Sequence, residues 1–284
     1  IDAIKKATEE QAALLKKYDL AGIYVGDEPA RFYPLGRTSS QLIGFTSIIN
    51  DAYGVGLGRY GVESHYNDGL AGKPGKTKGD RLIKPKNGED VYLTIDRNIQ
   101  VQAESILSRL LNQYGAVGGM VIVMEPKTGK VLAMLSKPDF DPNSYGQYEI
   151  NTFLNPSVQS VYEPGSIFKV ITMSAGIDSG KITPDTTFVD PGSLTLNGKT
   201  IRNWDLKAYG KVTMTNVIEK SINTGAAFAE RTTGHNIFHD YLVKFGFKES
   251  TEIDLPGEIV GSLRPLEEDV RDINYATASY GQGV

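Results

Sequence analysis

The sequence contains no cysteine, which excludes disulfide cross-links, thiol nucleophiles and thiolate metal sites. No stretch approaches the ~18 consecutive apolar residues of a membrane-spanning helix, and the first residues lack the pattern of a signal peptide. Basic residues are not concentrated either. The net charge is −4 and no run of lysine or arginine builds a basic groove, so no nucleic-acid partner is expected. Histidine is scarce, with three in the chain. His65 stands alone; His235 and His239 are four apart but lack a third ligand and the Glu of a His-Glu-x-x-His motif, so no metal site is expected. The same scarcity disfavours a Ser-His-Asp hydrolase. What is present is ordinary: 40% hydrophobic and 23% charged residues mark a folded chain rather than a disordered one. A length of 284 residues suits one large domain or two smaller ones.

The strongest chemical signal is Tyr162-Glu163-Pro164-Gly165-Ser166-Ile167-Phe168-Lys169, continuing through Val170-Ile171-Thr172-Met173. Proline is tolerated in the first turn of a helix, where its missing N–H would be unpaired anyway. Ser166 is therefore expected near a helix N-terminus, with Lys169 one turn later on the same face. A hydroxyl with an amine three residues on is the arrangement of a serine nucleophile activated by lysine. Ile167, Phe168, Val170 and Ile171 surround the pair, so the helix is expected to be buried on nearly all sides. Apolar surroundings lower a lysine pKa and let the amine take a proton.

By itself Ser-x-x-Lys is a weak pattern. Ser221-Ile222-Asn223 is the chain's single Ser-x-Asn, and that element accompanies Ser-x-x-Lys in penicillin-binding proteins and β-lactamases. The segments around Ser166, Arg202-Asn203-Trp204-Asp205, Ser221-Ile222-Asn223-Thr224-Gly225 and Asp254-Leu255-Pro256-Gly257-Glu258 follow in the family's order. Over essentially the whole chain the sequence resembles a class B penicillin-binding protein, a peptidoglycan D,D-transpeptidase truncated at both ends.

The resemblance implies an α+β fold. Its transpeptidase, or serine β-lactamase-like, domain has an antiparallel sheet packed by helices and a helical subdomain, preceded by an elongated N-terminal pedestal. It implies Ser166 as nucleophile, Lys169 as general base, Ser221 as proton relay and Asn223 as substrate-binding amide, with no cofactor and no metal. Implied partners are peptidoglycan stem peptides, β-lactam antibiotics and a membrane glycosyltransferase bound through the pedestal. The implied location is the outer face of the bacterial cytoplasmic membrane, with an anchor before Ile1. A non-catalytic scaffold or β-lactam sensor, or a β-lactamase or D,D-carboxypeptidase, are the alternatives. The family's third motif, Lys-Thr-Gly, belongs on a strand after the Ser-x-Asn element. Lys127-Thr128-Gly129 precedes Ser166 and sits between two strand-like runs, so it is rejected as catalytic. The strand is expected beyond Val284, and the chain as printed is expected to lack a complete site.

The boundary between pedestal and transpeptidase domain is expected where composition changes near Lys86-Asn87-Gly88, giving domains 1–86 and 87–284. In the first, residues 1 to 18 form a helix on the period of Ile4, Ala7, Leu14, Leu15 and Tyr18, opposite Lys5, Lys6, Glu9 and Glu10. Ala21–Val25 reads as a short strand, Arg31–Pro34 as extended, and Tyr53–Gly79 as a short helix followed by a lysine-bearing loop. In the second, Val91–Ile95 reads as a strand. Ala103, Ile106, Leu107, Leu110, Leu111 and Tyr114 mark a long amphipathic helix, and 118–124 with 130–135 a hairpin. Trp204, the single tryptophan, is expected to close a subdomain rather than wall a cleft.

Overall fold

The computed structural model describes residues 7–26, 31–47, 56–73, 75–78 and 81–284. Packing groups Ile1–Leu154 and Asn155–Val284 into two units.

The first helix of the first unit, α1 (Glu9–Tyr18), starts with a capping box. The Gln11 N–H donates to Thr8 Oγ1, and the Thr8 N–H to Gln11 Oε1. Glu9 and Glu10 in its first turn and Lys16 and Lys17 in its last suit the helix dipole. Ile4, Lys5 and Lys6, placed on this helix by their spacing, lie outside the described residues, as do Tyr53, Pro74 and Gly79. Residues 21–25, expected as a strand, form a turn closed by Ile23 N–H to Leu20 O; a short β-like run needs a partner to become a strand.

A small helix α2 (Ser40–Ile43), the pair β1 (Thr46–Ser47) and β2 (Leu57–Gly58), and helices α3 (Gly61–His65) and α4 (Asn67–Leu70) come next. The lysine-bearing stretch, expected as a loop, contributes β3 (Lys76–Lys78) to an antiparallel pair with β4 (Arg81–Ile83) just beyond it. Residues 91–95 are likewise not a strand. Asp96 N–H to Leu132 O and Thr94 Oγ1–H to Val131 O hold them beside their neighbour without a ladder.

The long helix α5 (Arg97–Tyr114) is capped by Asp96, which accepts from the N–H groups of Asn98 and Ile99. Its apolar residues split into two stripes. Ile99, Ala103, Leu107 and Leu111 pack on the hairpin of β5 (Gly119–Met124) and β6 (Val131–Lys137), whereas Ile106, Leu110 and Tyr114 are exposed. Lys127–Gly129 lies in the hairpin turn, where Gly129 N–H donates to Glu125 O. Buried Gln100 fastens helix to strand: it accepts from Met134 N–H at 2.9 Å and donates to Met134 O at 3.2 Å. Removing both bonds from a buried backbone unit costs about 1–3 kcal/mol for each group left unsatisfied. Gln100→Ala is therefore expected to lower the urea midpoint of the unfolding step that carries this hairpin. An unchanged midpoint would show that the two bonds contribute nothing net.

Tertiary bonds extend this unit beyond the hairpin. Ser39 N–H reaches Glu104 Oε1, and Gln41 Nε2 donates to Pro138 O and Thr152 O. Phe45, Phe140 and Phe153 form an aromatic core there, with Phe45 stacked on Tyr145 at 4.1 Å.

The second unit opens with α6 (Pro156–Gln159) and a 3₁₀ turn, Gly165–Phe168, that runs straight into α7 (Lys169–Asp178). Then come β7 (Thr187–Asp190), β8 (Ser193–Leu196), β9 (Lys199–Arg202) and β10 (Gly210–Thr213), paired antiparallel as β7 with β10 and β8 with β9. Helices α8 (Met214–Glu219), α9 (Asn223–Thr233), α10 (His235–Lys244), α11 (Arg264–Glu267) and α12 (Asp272–Ala278) complete it. The helix α9 sits at the centre because its side chains are small. Gly225, Ala226, Ala227 and Ala229 are buried, and a Cβ on Gly225 would fall 2.3 Å from Val217. The helix α7 contributes Phe168 from its preceding turn, Met173 and Ala175 to the surrounding clusters.

Candidate active site

Ser166 and Lys169 are placed as their spacing predicts, in the 3₁₀ turn and at the first position of α7, with Lys169 Nζ 3.0 Å from Ser166 Oγ. Ser166 is exposed while Lys169 is 2% exposed, so the hydroxyl is accessible and the amine is not. Burial brings the Lys169 pKa down from 10.5 to about 8. The source of that burial differs from the expectation. Ile167 is 70% and Val170 59% exposed, so the sequence neighbours do not bury the lysine on every side.

Other covering groups come from far along the chain. Lys169 Nζ donates to Ser221 O at 2.9 Å and to Asn223 Oδ1 at 2.8 Å, and lies 2.8 Å from Ser221 Oγ. It also stands 6.0 Å from the ring centroid of Tyr280. Ser221 has φ +53°, a left-handed conformation that costs a residue with a side chain about 1–3 kcal/mol. That backbone turns both the carbonyl and the hydroxyl of Ser221 to the same amine. Asn223 opens α9 next to it, and its orientation is fixed because Nδ2 donates to Arg202 O at 2.9 Å.

In this geometry the amine can serve as a proton acceptor. A neutral amine has two N–H groups and one lone pair. Ser221 O and Asn223 Oδ1 are pure acceptors and take the two N–H groups. The lone pair then faces the hydroxyls of Ser166 and Ser221.

The turn carrying Ser166 is held by residues 279–283. Gly165 N–H donates to Gly281 O at 2.9 Å, Thr172 Oγ1–H to Ser279 O at 2.7 Å, and Gly283 N–H to Glu163 Oε1 at 2.8 Å. In the sequence, the signal for this segment is its glycine-rich spelling, Gly281-Gln282-Gly283. Trp204 corrects an expectation. It closes no subdomain but is 71% exposed, with Nε1–H directed to Lys220 O at 3.4 Å. His235 bonds Glu230 and Asp272, and His239 bonds Glu267. No metal-binding cluster of His, Cys, Asp and Glu occurs among the described residues.

Residues 119–284 match the family described as penicillin binding protein transpeptidase domain, and residues 1–93 match the penicillin-binding protein dimerisation domain. The chain belongs to the penicillin-binding protein transpeptidase family. It is 35% identical to stage V sporulation protein D of Bacillus subtilis, over 99% of this chain and 45% of that protein. It is 28% identical to peptidoglycan D,D-transpeptidase FtsI of Escherichia coli K12, over 99% of this chain and 48% of that one. The crystal structure of penicillin binding protein 2X from Streptococcus thermophilus has a TM-score of 0.78 at 24% identity, covering 88% of this chain and 39% of that one; it shares the fold. The chain spans about half the length of the curated relatives it matches.

Proposed function

We propose that this chain carries the nucleophile, general base and Ser-x-Asn element of a peptidoglycan D,D-transpeptidase. Ser166 Oγ attacks the carbonyl between two terminal D-alanines of a stem peptide while Lys169 Nζ takes its proton. The Ser166 N–H stabilises the oxyanion. Ser221 passes the proton to the departing D-alanine amine, leaving an acyl ester on Ser166. An amine from a neighbouring strand then attacks the ester, restores Ser166 and forms the cross-link. Asn223 binds the substrate amide through its second Nδ2–H and the second lone pair of Oδ1; the first of each is engaged by Arg202 O and Lys169. A β-lactam enters the same path, and its ring opening leaves Ser166 stably acylated.

The observation that carries this reading is one buried amine within 3.0 Å of Ser166 Oγ, Ser221 Oγ and Asn223 Oδ1. The division into a pedestal at 1–86 and a transpeptidase domain at 87–284 belongs to the same proposal. The two family matches support two parts in that order; the first reaches residue 93, past the proposed boundary, and residues 94–118 lie between them. A glycosyltransferase partner for the pedestal and an anchored position on the outer membrane face belong to the proposal as well.

The test is labelling with a fluorescent penicillin, then mass spectrometry of the labelled peptide. It uses a protein that includes this chain and a Lys-Thr-Gly strand, with the 284-residue chain beside it. Stable label on Ser166 of the longer protein, absent from Ser166→Ala, is expected. Rapid loss of the label to water would favour a β-lactamase or carboxypeptidase. Absence of label from both proteins would overturn the acyl-transfer reading in favour of a scaffold.

A further inference from the structure

Asp190, the last residue of β7, is 2% exposed and unused in the proposed chemistry. Its carboxylate is nevertheless fully engaged. Oδ1 accepts from Gly192 N–H at 2.9 Å and Thr224 Oγ1–H at 2.5 Å; Oδ2 accepts from Asn203 Nδ2 at 2.8 Å and Tyr209 N–H at 2.9 Å. A buried carboxylate is tolerated only when donors replace its water, and here four do.

Two of those donors flank the Ser-x-Asn element from different parts of the chain. Thr224 directly follows Asn223 at the start of α9. Asn203 directly follows Arg202, whose carbonyl accepts from Asn223 Nδ2. Asn203 and Thr224 are also joined to each other, because Asn203 Oδ1 accepts from Thr224 N–H at 3.3 Å. Asp190 therefore holds the end of β9 against the start of α9. The Asn223 side chain spans that junction, with Nδ2 on Arg202 O and Oδ1 on Lys169 Nζ. A longer contact from Trp204 Nε1–H to Lys220 O crosses nearby.

We propose that Asp190 is a positioning residue for acyl transfer, holding Asn203 and Thr224 so that the Asn223 amide stays aimed at the Lys169 amine. The proposal rests on the acyl-transfer reading above. Asp190 touches neither substrate nor nucleophile. A neutral Asn at 190 keeps the shape but brings an amide N–H against donors that need acceptors, which pushes Asn203 or Thr224 away. The Asn223 amide then turns, and the amine loses a fixed acceptor.

The experiment measures the second-order rate constant of Ser166 acylation by a fluorescent penicillin, and its pH profile, in the longer protein defined above. Wild type, Asp190→Asn, Thr224→Val, Asn223→Ala and the double variant Asp190→Asn/Asn223→Ala are compared. Asp190→Asn is expected to lower the rate about 10- to 100-fold, the scale of a misplaced catalytic group, and to displace the pH midpoint. Thr224→Val, which removes one donor with little change of shape, is expected to move both in the same direction by less. In the Asn223→Ala background, Asp190→Asn should cost under about threefold more, because the two residues act through one amide.

Wild-type rate and midpoint in a folded Asp190→Asn protein would overturn the proposal. So would an equal cost of Asp190→Asn with and without Asn223. Should Asp190→Asn fail to fold, Thr224→Val decides alone, by the presence or absence of a shifted midpoint. Failure of the wild type to acylate would instead overturn the acyl-transfer reading itself, a result distinguishable from both.

Discussion

Lys169→Met is expected to slow acylation of Ser166 by about 10²–10⁴-fold, the range of a lost general base. The size of the effect follows from the proton balance at one amine. At its ordinary pKa of 10.5 a lysine is neutral in only about 0.03% of molecules at pH 7; at about 8 the neutral fraction is about 10%. Burial thus raises the supply of base roughly 300-fold, while a buried pocket keeps the amine within 3.0 Å of the hydroxyl. The sign with pH is fixed by the same argument. The reactive form is the deprotonated one, so the wild-type rate is expected to climb about tenfold per pH unit below 8 and to level off above it. Methionine fills similar space with nothing to titrate, so the Lys169→Met profile should lose that inflection. Stopped-flow labelling from pH 6 to about 9.5 reads both features. A Lys169→Met rate within fivefold of wild type, or a persisting inflection near 8, would assign the proton transfer to another group.

The second large effect is expected at Gly281, where the obstacle is backbone on backbone. A Cβ there would lie 2.3 Å from Gly165 O and 2.6 Å from Gly165 N, and φ is +78°. No rotamer change relieves such contacts, so the two strands of chain must part, breaking Gly165 N–H to Gly281 O next to Ser166. Displacement of Ser166 by about 1 Å is enough for a loss of about 10²-fold. Gly281→Ala should therefore be both less stable and at least that much slower. Gly180→Ala supplies the comparison: its φ is +69°, but nothing lies within 4 Å. That variant incurs only the left-handed strain, about 1–2 kcal/mol, and should acylate at the wild-type rate. If Gly281→Ala melts lower yet labels normally, the 279–283 segment supports the fold without aligning Ser166.

Sequence by itself determined the features that depend on neighbours along the chain. The Ser166–Lys169 pair needed only one helical turn to meet. The hairpin 119–137 needed two apolar runs and a turn, and α5 needed a 3.6-residue period with Asp96 to cap it. Tertiary structure decided what depends on chain from elsewhere. The run 91–95 has strand-like residues but no ladder, because pairing belongs to two segments and not to one. The outward stripe of α5, Ile106 and Leu110, carries the same period as the inward one; only the position of the hairpin selects which side is covered. Trp204, large and apolar, is expected by its type to close a subdomain and stands in the open. Most consequential is the lysine. Its apolar neighbours Ile167 and Val170 face outward, and its hydrogen-bonding partners include Ser221 and Asn223, 52 and 54 residues away. Local sequence could put an amine beside a hydroxyl. Desolvating that amine required folding distant chain over it, because burial is a property of everything packed nearby and a single helix turn cannot supply it.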